Sequence, residues 1–135
     1  MLVREIMTSP AVTIRPIDEV AEAARVLNRL SLTTLPVVDH DLRLLGIISE
    51  ADVIGSHGRL DVPLVSDVMT RDVFTAQADD DLSTVVALMS RTVLKSLPVL
   101  LRGRVVGVIS RRDLVRAMTR GDLDTPWSLV GTERF

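Results

Sequence analysis

Apolar positions along the chain alternate between two periods. Val20, Ala23, Ala24, Leu27 and Leu30 fall at the three- and four-residue spacing of a helix that buries one face. Leu35 to Val38 then forms a continuous apolar run of strand length, and Leu44 to Ile48 supplies a partner. The same order returns later. Leu82, Val85, Val86 and Met89 carry the helical stripe, and Leu97 to Leu101 and Arg104 to Ile109 read as paired strands. Ahead of the two amphipathic helices, Ala11–Ile14 and Val73–Ala76 predict short strands, and Val3–Met7 and Val65–Met69 predict single helical turns. The order is strand, helix, strand, strand, helix, twice over.

Punctuation supports these elements. Asp18 is placed to cap the first helix, and the run Asp79-Asp80-Asp81 suits the positive dipole end of its counterpart. Arg102-Gly103 predicts a tight hairpin, whereas Asp39 to Arg43 is a longer link. The last helix of each unit is expected to start at Ser49 or Ser110. The first should end near Gly55 or Gly58, and the second near Gly121.

The chain repeats itself. Met7-Thr8 recurs as Met69-Thr70, 62 positions on, and at that offset Leu35-Pro36-Val37 meets Leu97-Pro98-Val99. After one loop deletion, Gly46, Ile48, Ser49 and Asp52 meet Gly107, Ile109, Ser110 and Asp113. Conserved order and spacing mark a tandem duplication. Residues 1–60 and 61–121 are the expected units, followed by a tail over 122–135. One such unit cannot cover a small sheet and two helices well, so the pair is expected to pack sheet to sheet about a pseudo-twofold axis. The fold class is α/β (α+β).

Totals narrow the function. Apolar residues make up 47% of the 135, enough for a core, while aromatics are only 2%, so that core is aliphatic. A net charge of −2 lacks the basic excess of a phosphate-gripping protein and argues against nucleic acid as partner. The absence of cysteine excludes disulfides, thiolate metal sites and a cysteine nucleophile. No run reaches the roughly 18 apolar residues of a membrane span, and Met1-Leu2-Val3-Arg4-Glu5 lacks the form of a signal peptide. The expectation is a cytoplasmic protein with no membrane partner. Phosphate-loop, dinucleotide, zinc-helix and nucleophile-elbow motifs are all missing, so no enzyme activity is expected.

The candidate chemistry lies at two matching strand-to-helix junctions, Gly46-Ile47-Ile48-Ser49-Glu50-Ala51-Asp52 and Gly107-Val108-Ile109-Ser110-Arg111-Arg112-Asp113. Ser caps each helix with Asp three residues on, which satisfies orphan N–H groups and also leaves a place where an anion is favoured. Capping alone is worth about 1 kcal/mol per helix. Arg111 can bind a phosphate by charge-assisted hydrogen bonds. Arg112, Arg116 and Arg120 follow at four-residue steps and are read as a solvated face. His40 and His57 are read as surface loop residues without converging partners, so no metal is expected.

The two units resemble CBS domains, the cystathionine-β-synthase repeats that occur in tandem pairs. The resemblance lies in Ile6-Met7-Thr8, Leu35-Pro36-Val37-Val38-Asp39 and the junction 46–52, with their partners at 68–70, 97–100 and 107–113, and it spans roughly residues 2 to 120. It implies two clefts related by the pseudo-dyad that bind an adenosine-containing ligand such as AMP, ADP, ATP or S-adenosylmethionine, as a regulatory ligand and not a cofactor. It implies the helix-start Asp on ribose hydroxyls, the Ser on a phosphate, and the residues before each Leu-Pro strand near base or phosphate. The implied ligand-binding residues in the first unit are Thr33, Thr34, Ile47, Ser49 and Asp52. In the second they are Lys95, Ser96, Val108, Ser110, Arg111 and Asp113. The resemblance further implies a homodimer formed by the amphipathic helices, with occupancy passed to the dimer mate or an effector protein. The alternative reading is a structural dimerisation or partner-interaction module with empty clefts. Trp127 and Phe135 give the tail enough apolar area to dock on the module or its mate.

Overall fold

The computed structural model describes residues 1–59 and 61–123. A 3-10 turn over Val3–Glu5 leads into α1 (Val20–Leu30), β1 (Thr34–Val38), β2 (Leu44–Ser49) and α2 (Glu50–Gly55). The second half repeats the order with one added short strand: α3 (Val65–Val68), β3 (Ala76–Gln77), α4 (Leu82–Ser90), β4 (Ser96–Leu101), β5 (Arg104–Ser110) and α5 (Arg111–Thr119).

Local chemistry accounts for most boundaries. Ser49 and Ser110 cap α2 and α5, each accepting from the backbone N–H of the Asp three residues on. Arg102 and Gly103 both take positive φ, 54° and 79°, so the β4–β5 hairpin turns tightly in the sense that matches strand twist. The longer β1–β2 link is folded by Asp39, whose carboxylate accepts from the N–H groups of Asp41 and Arg43. Asp18 does not cap α1. Its carboxylate accepts from Arg15 N–H at 2.9 Å, closing the preceding turn, just as Asp80 does for Gln77. Asp81 caps α4 by accepting from Ser83 N–H. The start of α1 is bonded instead by Pro63, whose carbonyl accepts from Val20 N–H.

Two small sheets form, β1–β2 and β3–β4–β5. The hairpin pairs are antiparallel, with Thr34 opposite Ser49 and Ser96 opposite Ser110, and β3 runs parallel to β4. The strand expected over residues 11–14 contracts to Ile14, which bridges Val37 in parallel, and its twin starts only at Ala76. The reason is that the chain is elsewhere until then. Thr8 and Val108 exchange both backbone hydrogen bonds, at 2.8 and 3.0 Å, so the first repeat's leading segment edges the second repeat's sheet. Thr70 and Ile47 do the reverse, both at 2.8 Å.

The cores are exchanged in the same way. Val3 packs with Leu82, Val85, Leu97 and Ile109 of the second repeat, while Val65 packs with Ile14, Val20, Leu35 and Ile48 of the first. Gly46 and Gly107 permit the close crossings. A Cβ at Gly107 would sit 2.8 Å from the Thr8 carbonyl oxygen, and one at Gly46 would sit 2.6 Å from that of Thr70.

The helical stripes serve these cores. Val20, Ala23 and Leu27 of α1 and Leu82, Val85 and Met89 of α4 are buried within the chain, while Ala24 and Val86 are half-buried and Leu30 is exposed. The two repeats meet at their sheets, where the Thr34 and Ser96 hydroxyls lie 2.8 Å apart. Val105 N–H donates to the Leu42 carbonyl at the hairpin ends. Leu123 packs on the second core, and Trp127 and Phe135 lie outside the described residues. Among the described residues no helix is long and apolar enough to cross a membrane.

Candidate functional site

The site is built around the start of α5. Asp113, at the third helical position, is 5% exposed. Its Oδ2 accepts from Ser110 N–H at 2.8 Å and from the Ser110 hydroxyl at 3.0 Å. Its Oδ1 accepts from the Thr8 hydroxyl at 3.3 Å, and Arg116 Nη1 stands 3.9 Å from the same oxygen. Three donors use three of about four acceptor sites on an ionised carboxylate. A buried Asp held this way is fixed in direction and keeps one acceptor site, and the same residue borders an open side of the molecule.

That open side is a cleft of about 500 Å³. Its apolar walls include Ala11, Val12, Leu30 and Leu32 of the first repeat and Val108 of the second. Thr8, Ser31, Thr33 and Thr34 bring hydroxyls from the first repeat, and Ser96 and Ser110 from the second. Lys95, Arg111, Arg112 and Arg116 bring four cationic groups. Arg111 is positioned by two backbone contacts, its N–H donating to the Lys95 carbonyl at 3.0 Å and its Nε to the Leu94 carbonyl at 2.8 Å. The cleft thus combines an apolar slot, a hydroxyl-rich seam and a basic rim, with one carboxylate at its base.

The structure brings together eight of the residues proposed from the sequence: Thr33, Thr34, Lys95, Ser96, Val108, Ser110, Arg111 and Asp113 all line this cleft. Ile47, Ser49 and Asp52 lie apart from it, at the start of α2. There Asp52 accepts from Ser49 N–H at 2.9 Å and from the Thr70 hydroxyl at 3.2 Å, reproducing the Ser110–Asp113–Thr8 arrangement. Sequence reasoning missed Thr8. The recurrence of Met-Thr in both repeats was the available signal, but not the edge to which each Thr bonds. It also read Arg112 and Arg116 as a solvated face with Arg120. The first two remain solvent-accessible yet line the cleft, whereas Arg120 falls past the end of α5. His40 lies on the surface with Nε2 3.4 Å from Asp41 Oδ2.

The CBS domain family model matches residues 3–57 and again residues 65–120. The chain belongs to the CBS domain family. Among curated relatives, inosine-5'-monophosphate dehydrogenase of Methanocaldococcus jannaschii is 34% identical over 113 residues, which is 83% of this chain and 22% of that enzyme. L-aspartate semialdehyde sulfurtransferase of the same organism is 31% identical over 116 residues, 85% of this chain and 23% of its own length. This chain therefore spans less than a quarter of those two enzymes. A solved CBS domain pair of protein MJ0100, in complex with 5'-methylthioadenosine and S-adenosyl-L-methionine, is 30% identical. It superposes with a TM-score of 0.78 over 91% of this chain and 98% of its own. CBSX2 in complex with AMP shares the fold, with a TM-score of 0.79 at 24% identity over 90% of this chain and 98% of its own. The observed architecture is accordingly a pair of tandem CBS repeats, packed through their sheets with pseudo-twofold symmetry.

Proposed function

We propose that this chain is a non-catalytic regulatory module that binds an adenosine-containing ligand in the cleft at Asp113. One observation carries the reading: a single cleft presents an apolar slot, a fixed carboxylate with residual acceptor capacity and a basic rim. These suit, respectively, a purine, a ribose hydroxyl and an anionic group. The ligand complexes of the MJ0100 pair and CBSX2 support it by analogy.

The same geometry offers a route to signalling. Thr8, from the first repeat, bonds Asp113 of the second, and Thr34 and Ser96 meet across the seam within the cleft. A ligand that touches both repeats binds one mutual arrangement of them better than another, and so shifts the population toward it. We place this signal in the cytoplasm, where adenine nucleotides are abundant, and expect a homodimer or an effector protein to receive it. Ile54 on α2 and Val115 on α5 occupy equivalent positions and are 72% and 58% exposed, so they are the apolar side chains we assign to a dimer contact. Sedimentation at tens of micromolar is expected to give twice the 14.8 kDa chain mass, and a monomer would remove that assignment.

Thermal melting with AMP, ADP, ATP, S-adenosylmethionine and 5'-methylthioadenosine tests the ligand reading. A specific ligand at a hundred times its Kd stabilises the folded state by about 2.7 kcal/mol. A flat response to the whole panel would leave the structural dimerisation module as the better reading.

A further inference from the structure

The basic rim of the Asp113 cleft is larger than one phosphate needs, and part of it stands where a helix tolerates cations poorly. Arg111 and Arg112 fill the first two positions of α5, against the positive end of its dipole. Arg112 and Arg116 are four apart, a like-charge pair of the kind that weakens a helix. Among the described residues no carboxylate lies within 4 Å of Lys95, Arg111 or Arg112, and the one near Arg116 is Asp113 at 3.9 Å. The equivalent positions of the first repeat are Glu50, Ala51 and Gly55, which follow the ordinary rules for a helix start. Departures from local preference concentrated on one cleft wall are what a functional site produces.

We propose that this cleft selects adenosine ligands carrying two or three phosphates, and that Arg112 and Arg116 read the phosphates beyond the first. The proposal rests on the adenosine-ligand reading above. The charge balance supports it, because four cationic groups against the single carboxylate of Asp113 leave a surplus of three positive charges lining about 500 Å³. A monophosphate dianion does not neutralise that surplus, whereas a di- or triphosphate does. The sulfonium of S-adenosylmethionine would be repelled by it. Arg111 is already directed by its contact with the Leu94 carbonyl and is assigned to the first phosphate. Arg112 and Arg116, four residues apart on one face of α5, extend the row along the helix.

Calorimetric titration without added divalent cation tests this with ATP, ADP, AMP, adenosine and inorganic tripolyphosphate, on the full chain and on Arg112→Gln and Arg116→Gln. ATP and ADP are expected to bind about tenfold or more tightly than AMP. Each substitution should weaken ATP about threefold to tenfold and leave adenosine unchanged. ATP affinity should also fall more steeply with salt than that of adenosine. Both side chains are exposed, so melting temperatures should hold or, for Arg112→Gln, rise slightly as the dipole conflict is relieved. If ATP binds no tighter than AMP, or the substitutions weaken adenosine as much as ATP, polyphosphate selection is wrong while the adenosine reading stands. If tripolyphosphate binds but no adenosine compound does, both readings fail together.

Discussion

The hydroxyls of Thr34 and Ser96 lie 2.8 Å apart, and the two residues hold the same position in their respective repeats. Each begins the first strand of its repeat's antiparallel pair, and both line the Asp113 cleft. This contact therefore sits on the pseudo-dyad, where it joins the sheets and forms part of the site. Its two oxygens are part-buried, so neither is fully compensated by water if its partner is lost. A double-mutant cycle with Thr34→Ala and Ser96→Ala is expected to give a coupling of about 0.5–1.5 kcal/mol in urea unfolding. Strict additivity would mean that the seam is held elsewhere.

Gly107 and Gly46 mark where one repeat's leading segment crosses the other's sheet. Gly107→Ala places a methyl group 2.8 Å from the Thr8 carbonyl oxygen and 2.7 Å from Met7 Sδ. The Met side chain can give way, but the backbone oxygen is held by its bond from Val108 N–H at 3.0 Å. A loss of about 1–3 kcal/mol is expected. Gly55→Ala is the control, because a Cβ there meets nothing within 4 Å and lies at the end of a helix. It should be neutral or gain up to about 1 kcal/mol. Chemical denaturation of both variants makes the comparison.

The two helix starts share Ser, Asp and a Thr contact, and differ in Arg111, Arg112 and Arg116 against Glu50, Ala51 and Gly55. Phosphorylated ligands are therefore expected to prefer the second by about tenfold to a hundredfold. Asp113→Ala should remove the tighter binding step for ADP or ATP in calorimetry, and Asp52→Ala should leave it. The reverse result would overturn the charge argument and make the α2 end the principal site. Because Asp113 also completes a capping box, its variant is titrated well below its own melting temperature.

Asp81 offers a pH test. Its carboxyl is held below the ordinary 3.8, first by the Ser83 backbone N–H and then by the Ser83 hydroxyl. A carboxyl whose folded pKa is depressed contributes stability that is fully present above the unfolded value and is lost as pH falls through the folded one. Asp81→Ala should thus lower the melting temperature at pH 7. The difference from the parent should shrink below about pH 3.8, once the parent loses its cap as well. A difference that stayed constant down to pH 2 would mean that the carboxylate charge is not what caps α4.

What the sequence determined by itself was the content of each repeat. The helical stripes, the Ser caps of α2 and α5 and the Arg102-Gly103 turn all depend on residues within a few positions of one another, and the duplication is read by comparing the chain with itself. Such interactions are legible because backbone geometry fixes which neighbours meet. The Asp18 cap failed at the same scale, because the carboxylate closes the preceding turn and the helix start is bonded by Pro63 from the next repeat. Eight of the eleven candidate residues share one cleft, while Ile47, Ser49 and Asp52, the repeat-symmetry mates of Val108, Ser110 and Asp113, lie apart from it.

Only the tertiary structure decided how the repeats interlock. Thr8 reaches Asp113 across 105 residues, and Val3 and Val65 are buried in each other's repeats. The apolar pattern specifies that these residues must be covered, but not by which sheet. The same limit applies to Arg112 and Arg116: helical period places them on one face, but what that face looks onto depends on residues 8–12 and 30–34 folding over it. Burial and charge are properties of a surface assembled from distant segments, so their sum in the cleft became visible only when both repeats were in place.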